Sequence, residues 1–544
     1  MAVSARAGAV GALRLVCAAV AGLGLAWAFP PHNAHWLAVP SIAVFTLCVW
    51  RRGAWGAALI AAAYGAAFFL PLISWMRVVG DDAWVMLSLL CVFWVALTGM
   101  MVALVTRLPL WPLWAACCWT VGEYLRDHIP WNGFAWGRLA FSQADSPLVF
   151  LSTVGGAPLV TFSVALLGAL LAAAALRLWP ALGGSPRWGT LPDRSARRAA
   201  GALVVAAGVV LAALATSGVT VLPEPGTESS VTAAVVQGNV PRAGLGFLGN
   251  PRDVLDNHIR ATKQLAADVD AGVTPAPELV VWPENASDLD PFTSPAITAD
   301  IQSAVDAIGV PVLVGAVITN PANPATVLNV GIVWNPGSGP AQRYAKRHPV
   351  PFGEYIPFRE VLSKLIDRFA LIPRDFAAGD EPGVLTLGPA TVGDVICFEV
   401  ADDQVVRDAI TGGGRLLVVQ TNNATYGYTG QPEQQLAITR LRSVEHGRTA
   451  LVAATSGVSA IISTRGQVTD SLPEFVAGSL VATVTQTDSL TMSDRLGERP
   501  ELTLVALGLL AVLWALVRRR LGSSSTGRPT GRGTSPTAQE IDVR

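Results

Sequence analysis

Long uninterrupted apolar runs fill the first two fifths of the chain, whereas most of the remainder alternates short apolar runs with polar stretches. A helix needs about 20 apolar residues to cross a hydrocarbon core roughly 30 Å thick. Runs at about 8–28, 34–50, 54–74, 84–105, 108–125, 155–176 and 200–221 therefore predict seven spans, and a run at about 501–517 predicts an eighth. Short pieces rich in Pro and Trp, such as 108–125, are expected to tilt or to lie partly in the interface. The charged start and Ala26-Trp27-Ala28 also fit a cleavable leader, but six further spans favour an anchor that stays in place.

Between the seventh and eighth spans the pattern changes. Val231–Gln237, Glu278–Trp282, Val310–Val317, Val327–Trp334, Ala390–Cys397, Arg415–Thr421, Ala450–Ala454 and Val458–Ser463 read as strands. Val254–Ala267 and Ile297–Ile308 carry helical periodicity. Continuous Val/Ile/Leu runs without strict alternation indicate strands covered by helices on at least one face. The expected organisation is a membrane domain over 1–221, an α/β domain over 222–498, a last span over 499–520 and a disordered tail over 521–544. That tail is rich in Ser, Thr, Gly and Pro and too poor in apolar residues to pack. The stretch 179–199 is expected to be a flexible loop.

Charge adds an orientation. Arginines concentrate on alternate connections: Arg6, Arg51 and Arg52, Arg107, then Arg177, Arg187, Arg194, Arg197 and Arg198, and finally Arg518, Arg519 and Arg520. The positive-inside rule then puts both termini in the cytoplasm and residues 222–498 on the outer side. That outer region holds 18 Lys and Arg against 30 Asp and Glu, an acidic balance that argues against nucleic acid as a partner.

Three short motifs in the α/β region carry chemistry. Cys397 is the only cysteine there; Cys17, Cys48, Cys91, Cys117 and Cys118 all fall in apolar stretches of the N-terminal half. A disulfide or multi-cysteine metal site within the region is thereby excluded, leaving a buried small hydrophobe or a reactive thiol. Cys397 ends the apolar run Thr391-Val-Gly-Asp-Val-Ile-Cys397 and is followed by Phe398 and Glu399. Glu284 ends Leu279-Val-Val-Trp-Pro-Glu284, where proline fixes the approach of a carboxylate that could otherwise simply cap a helix. Lys346 opens a loop dense in Pro, Gly and aromatics, in a chain with 38 Lys and Arg of which only Lys263, Lys346 and Lys364 are lysines. A compact ammonium is placed where an arginine would be the default. His348, with no second histidine nearby, reads as a loop hydrogen-bonding residue. A carboxylate, an ammonium and a thiol suffice for acyl transfer: the carboxylate shuttles the thiol proton, the thiolate attacks a carbonyl and the ammonium stabilises the negative charge. No phosphate loop and no ligand spacing signals a metal or cofactor.

Trp282-Pro283-Glu284, Lys346 followed by Glu354 in Val-Pro-Phe-Gly-Glu-Tyr, and Cys397-Phe398-Glu399 together resemble the Glu-Lys-Cys constellation of the nitrilase superfamily. More narrowly, the chain resembles the apolipoprotein N-acyltransferase family, through Trp131-Asn-Gly-Phe-Ala-Trp136, Val236-Gln-Gly-Asn-Val-Pro241 and Gly427 through Ala460. The resemblance implies an α-β-β-α sandwich on a polytopic helical anchor of a bacterial cell membrane. It implies Glu284 as general base, Lys346 as stabiliser of thiolate and oxyanion, and Cys397 as acyl-carrying nucleophile. Glu354 would be a second carboxylate beside the lysine, and Phe398 and Glu399 would shape the pocket. A phospholipid would be the acyl donor and a diacylglyceryl-modified apolipoprotein the acceptor, with no cofactor. The runner-up is a membrane-tethered amidase using the same three groups. Departures from the family pattern fall at Phe398, Thr425, Gln435 and Ser456, and bear on acyl-chain or lipoprotein preference more than on the reaction. Two apolar segments, Gly244–Gly249 and Phe358–Phe376, are candidate lid or membrane-dipping loops.

Overall fold

The computed structural model describes residues 2–178, 208, 229–240, 251–364 and 373–524. Helices form at the predicted spans: α1 (Ala2–Trp27), α2 (Ala38–Val49), α3 (Ala54–Leu72), α4 (Asp81–Val105), α5 (Trp111–His128), α6 (Ser152–Leu178) and a C-terminal helix, Arg499–Ser524. The span expected at 200–221, the loop at 179–199, the segment 244–249 and the tail beyond 524 lie outside the described residues. Among those described, α1, α3, α4, α6 and the C-terminal helix are long and apolar enough to cross a membrane. α2, at 12 residues, reaches about 18 Å, short of a full hydrocarbon width. α5 carries Glu123 and Arg126, which are buried inside the bundle. Glu123 accepts from Trp119 Nε1 (3.0 Å), Leu139 N (2.8 Å) and Thr161 Oγ1 (2.8 Å), so its polarity is consumed inside the protein. Small residues let the helices approach closely: a Cβ on Gly99 would lie 2.3 Å from that of Ala61.

Two six-stranded sheets follow. The first has the order β12-β1-β2-β3-β4-β5 and the second β11-β10-β9-β8-β7-β6. The strands are β1 (Ser230–Gln237), β2 (Leu279–Val281), β3 (Val312–Thr319), β4 (Val327–Asn335), β5 (Gly339–Ala345), β6 (Val384–Leu387), β7 (Ala390–Ile396), β8 (Leu416–Thr421), β9 (Ala450–Ala454), β10 (Ala460–Ile462), β11 (Val468–Ser471) and β12 (Gly478–Thr485). Alternate residues of one strand serve opposite faces, as the period of two demands. In β8, Leu416 and Val418 join the core between the sheets, while Leu417 and Val419 face the other way. Helices α7 (Pro251–Asp270) and α8 (Pro295–Ile308) cover the first sheet, and α9 (Asp403–Thr411) and α10 (Gln431–His446) the second. The four-layer α-β-β-α sandwich is present.

The two halves of the molecule share a core. The outer face of the second sheet, through Leu417, Val419, Ala450 and Val452, belongs to the same apolar cluster as the membrane helices. Polar residues fix the join. Gln434 on α10 accepts from Trp75 Nε1 (3.1 Å) and Trp136 Nε1 (2.7 Å) and donates to the carbonyls of Pro30 (3.1 Å) and Leu72 (3.0 Å). Arg138, on the connection between α5 and α6, pairs with Asp403 of the sandwich (2.8 Å), Glu501 of the C-terminal helix (3.2 Å) and Asp127 (3.3 Å). Burial alone would raise the Asp403 carboxyl, but Arg138 and Arg442 hold it well below the usual carboxylate range. Removing the cation of such a cluster leaves buried carboxylates uncompensated, at a cost of about 3–5 kcal/mol. Arg138→Met is therefore expected to lower the thermal unfolding midpoint of the detergent-solubilised protein by several degrees. An unchanged midpoint would show that the apolar core alone joins the halves.

Candidate active site

The chemically capable residues gather where strands of both sheets end. β2 runs into Trp282-Pro283 and delivers Glu284; β5 ends at Ala345 and delivers Lys346; β7 ends at Ile396 and delivers Cys397. Glu284 and Lys346 are 4% and 2% exposed, so neither charge is dispersed by bulk water. Lys346 Nζ donates to Glu284 Oε1 (3.2 Å) and to Glu354 Oε1 (2.9 Å). Burial alone would lower the lysine's pKa, but the two carboxylates overcome it and hold the ammonium well above the ordinary lysine value. The lysine is thus a fixed cation, suited to stabilising anions rather than to shuttling protons.

Asn329 on β4 completes this cluster and was not singled out by the sequence. Its Nδ2 donates to Glu284 Oε1 (2.7 Å) and Glu354 Oε1 (3.1 Å), while its backbone carbonyl accepts from the Lys346 backbone N–H (2.9 Å), so one residue ties both carboxylates to the lysine's strand end. The other oxygen of Glu284 accepts from the backbone N–H of Asn422 (2.8 Å), just past β8. Glu354 accepts from Val350 N through its second oxygen (2.6 Å), which closes the loop after Lys346.

Cys397 sits at a sharp elbow. It is the first residue of a 3-10 turn, Cys397–Ala401, with φ at +56°. A non-glycine residue held in that region costs of order 1–3 kcal/mol and persists only where surrounding contacts enforce it. Glu399, fully buried, supplies them: it accepts from Ile396 N (2.8 Å), Arg347 N (2.7 Å), His348 N (3.1 Å) and the Tyr344 hydroxyl (2.9 Å). One carboxylate thereby clamps the elbow to the segment that carries Lys346. Burial pushes its pKa up, opposed by Lys346 and by those N–H donors. His348 is a hydrogen-bonding loop residue as expected, its Nδ1 lying 2.9 Å from Asp402.

Burial, and after it the negative charge of Glu284, pushes the Cys397 thiol up to about 12, with Lys346 and the Thr421 hydroxyl acting in the opposite sense. At rest the sulfur is therefore protonated, and a thiolate forms only as its proton is taken up within the site. Gln435 Nε2 donates to the Cys397 carbonyl (3.0 Å). Phe398 stacks near-parallel to Phe134 and Trp136, with ring centroids 5.8 and 5.7 Å away and planes within 17° and 11°. Tyr426 meets Trp75 edge-on at 5.0 Å. The connection between α5 and α6 and the segment after α3 thus wall the site on the membrane side. Trp131 of the same connection reaches Phe352 of the lysine loop at 5.5 Å. Phe358 remains 72% exposed at the start of the second apolar loop; residues 365–372 of that loop lie outside the described residues.

All six sequence-derived positions lie in this region: Glu284, Lys346 and Glu354 in direct contact, Cys397 beside them, Glu399 behind the elbow, and Phe398 on the membrane-domain wall. A two-sheet sandwich with this constellation defines the class, a carbon-nitrogen hydrolase domain seated on a helical membrane anchor. Residues 232–490 match the carbon-nitrogen hydrolase family, and residues 21–170 match the apolipoprotein N-acyltransferase N-terminal domain. An apolipoprotein N-acyltransferase of Mycolicibacterium smegmatis is 36% identical over 519 residues, covering 91% of this chain and 84% of the relative. One of Vibrio cholerae is 29% identical over 534 residues, covering 93% and 98%. Among solved structures, a mutant amidase of Nesterenkonia from the nitrilase superfamily aligns with 18% identity and a TM-score of 0.37, over 51% of this chain and 97% of its own. The chain belongs to the apolipoprotein N-acyltransferase family.

Proposed function

We propose that this protein moves an acyl chain from a membrane phospholipid to the α-amino group of the diacylglyceryl-cysteine at the N-terminus of apolipoproteins, the final step of lipoprotein maturation. The observation that carries the reading is a strained, partly buried cysteine elbow walled by aromatic residues of the membrane domain and set beside a Glu-Lys-Glu cluster. Glu284 takes the Cys397 proton, and the sulfur attacks the donor ester. Lys346 stabilises the tetrahedral oxyanion, and a lysophospholipid leaves with the proton returned by Glu284. The amine of the acceptor then attacks the thioester, Glu284 accepts its proton, the C–S bond breaks, and the leaving sulfur regains that proton from Glu284. Glu354 and Asn329 hold the base and the ammonium in place throughout.

A membrane-tethered amidase would use the same groups but release its product to water. The placement of Phe398 and Tyr426 against Phe134, Trp136 and Trp75 favours substrates delivered at the bilayer. There a chain need not be drawn into water at a cost of about 0.8 kcal/mol per CH₂. The reading places the sandwich, bounded at about 222 and 498, on the outer face of a bacterial cell membrane with both termini in the cytoplasm. Its support is the arginine distribution, which follows the positive-inside rule. Mass spectrometry of a lipoprotein N-terminus, with and without the gene, tests the role. The deletion is expected to yield a terminus lighter by one acyl chain, restored by the intact gene and not by Cys397→Ala. An N-acylated terminus persisting in the deletion overturns the role.

A further inference from the structure

A hydroxyl carrying a single proton stands between the nucleophile and a glutamine. Thr421, the last residue of β8, lies with its Oγ1 3.4 Å from Cys397 Sγ and 3.0 Å from Gln435 Oε1. A hydroxyl has one hydrogen to donate, so it serves one of these acceptors at a time. Gln435 Oε1 does not depend on it, since Asn423 Nδ2 donates to the same oxygen at 2.7 Å and Gln431 Nε2 at 3.4 Å. Those donors also fix which way the amide points, because its nitrogen is spent on the Cys397 carbonyl at 3.0 Å. Thr421 and Gln435 are buried at 2% and 3% exposure, so bulk water does not compete for the hydroxyl proton.

We propose that Thr421 is a further catalytic residue, a switchable hydrogen-bond donor that stabilises the Cys397 thiolate, with Gln435 as the resting acceptor that positions it. The proposal rests on Cys397 being the nucleophile. In the resting thiol, Thr421 donates to Gln435 Oε1. When the S–H bond breaks, the proton passes to Glu284 and the electron pair stays on sulfur; the Thr421 hydroxyl then rotates to donate to that pair. Attack spends the pair on the new C–S bond. A thioester sulfur is a poor acceptor, and the hydroxyl returns to Gln435. The rotation recurs when the C–S bond breaks and sulfur leaves with its electrons. The other titratable groups acting on the sulfur are Glu284, Lys346 and Glu354, with Tyr426 on the far wall.

The test is the rate of iodoacetamide alkylation of Cys397 in the full-length, detergent-solubilised protein, read on the Cys397 peptide by mass spectrometry between about pH 6 and 9. Thr421→Val keeps the shape and removes the donor. Its alkylation is expected to be about tenfold slower across the range, a displacement of about one pH unit, with acyl-thioester formation from phospholipid slowed to match. Thr421→Ser is expected to recover most of the parent rate. Gln435→Met removes the competing acceptor and is expected to speed alkylation by a few fold, an opposite sign that general damage to the site would not produce. An unchanged rate in Thr421→Val, or equal losses in Thr421→Val and Gln435→Met, overturns the proposal. Failure of the unmodified protein to form an acyl-thioester on Cys397 would instead overturn the nucleophile assignment.

Discussion

Purified protein incubated with phospholipid and no acceptor is expected to gain one acyl mass on the peptide carrying Cys397, labile to neutral hydroxylamine, while an equivalent of lysophospholipid appears. A thioester accumulates only if it forms faster than water removes it. The site favours this balance: Cys397 is partly buried, and Phe398 and Tyr426 seal its membrane side against Phe134, Trp136 and Trp75. With water held back, the thioester waits for the acceptor's amine, a far better nucleophile toward it than water. Cys397→Ala should show no acyl mass and no lysophospholipid, a complete loss. The remaining cysteines lie on membrane helices, Cys17 on α1, Cys48 on α2, Cys91 on α4, and Cys117 and Cys118 on α5. Replacing all five should leave the label on Cys397. Label on any other residue, or lysophospholipid formed at full rate by Cys397→Ala, would sink the covalent mechanism.

What the sequence made legible follows from which residues announce themselves by pattern. The membrane helices and the central strands β1, β3, β4, β7, β8 and β9 are runs of Val, Ile, Leu and Ala, because both of their faces are buried. β5 is different. Its middle residues, Pro340 through Arg343, are exposed, and it lies at the edge of its sheet, so no apolar run marks it although it delivers Lys346. β11 is exposed along its whole length and was invisible for the same reason. The site divides in the same way. Glu284, Lys346 and Cys397 stand in short motifs whose chemistry is readable locally. Asn329 lies inside the apolar strand β4 and Thr421 at the polar end of β8, outside any recognisable motif, and only the alignment of those strands brings Asn329 to both carboxylates and Thr421 to the sulfur. Of the departures from the family pattern, Phe398 fills the contact with Phe134 and Trp136, and Gln435 joins Asn423, Gln431 and Thr421 behind the nucleophile. Phe398 thus sits on the wall of the site and Gln435 behind Cys397, and neither replaces Glu284, Lys346 or Cys397.

Glu284→Gln and Lys346→Arg are each expected to lower kcat/KM by at least about 10²-fold, or about 2.7 kcal/mol of transition-state stabilisation, in protein that remains inserted and folded. The reasons differ. Glu284 receives donors at both oxygens, from Lys346 and Asn329 at one and from Asn422 N–H at the other. A glutamine offers one acceptor oxygen and one NH₂, so one side of it must face a donor, and the group can no longer take the thiol proton. At Lys346 the charge is kept but its shape changes. The ammonium occupies a slot closed by Glu284 at 3.2 Å and Glu354 at 2.9 Å, with 2% of the residue exposed. A longer, planar guanidinium fits only by pushing the two carboxylates apart or by backing out of the slot, and either displaces the oxyanion donor from where charge develops. A shift of about 1 Å is enough for a loss of that size. The acylation half-reaction, followed as thioester formation on Cys397, should fall in parallel with turnover in both variants, because the proposed base and cation both act on the first attack. Near-normal turnover in Lys346→Arg would show that a positive charge anywhere in the slot suffices, and the placement of the ammonium would lose its role. Thioester formation at the parent rate in Glu284→Gln would mean that another group takes the thiol proton; Glu354, on the opposite side of Lys346, would then be the base to test.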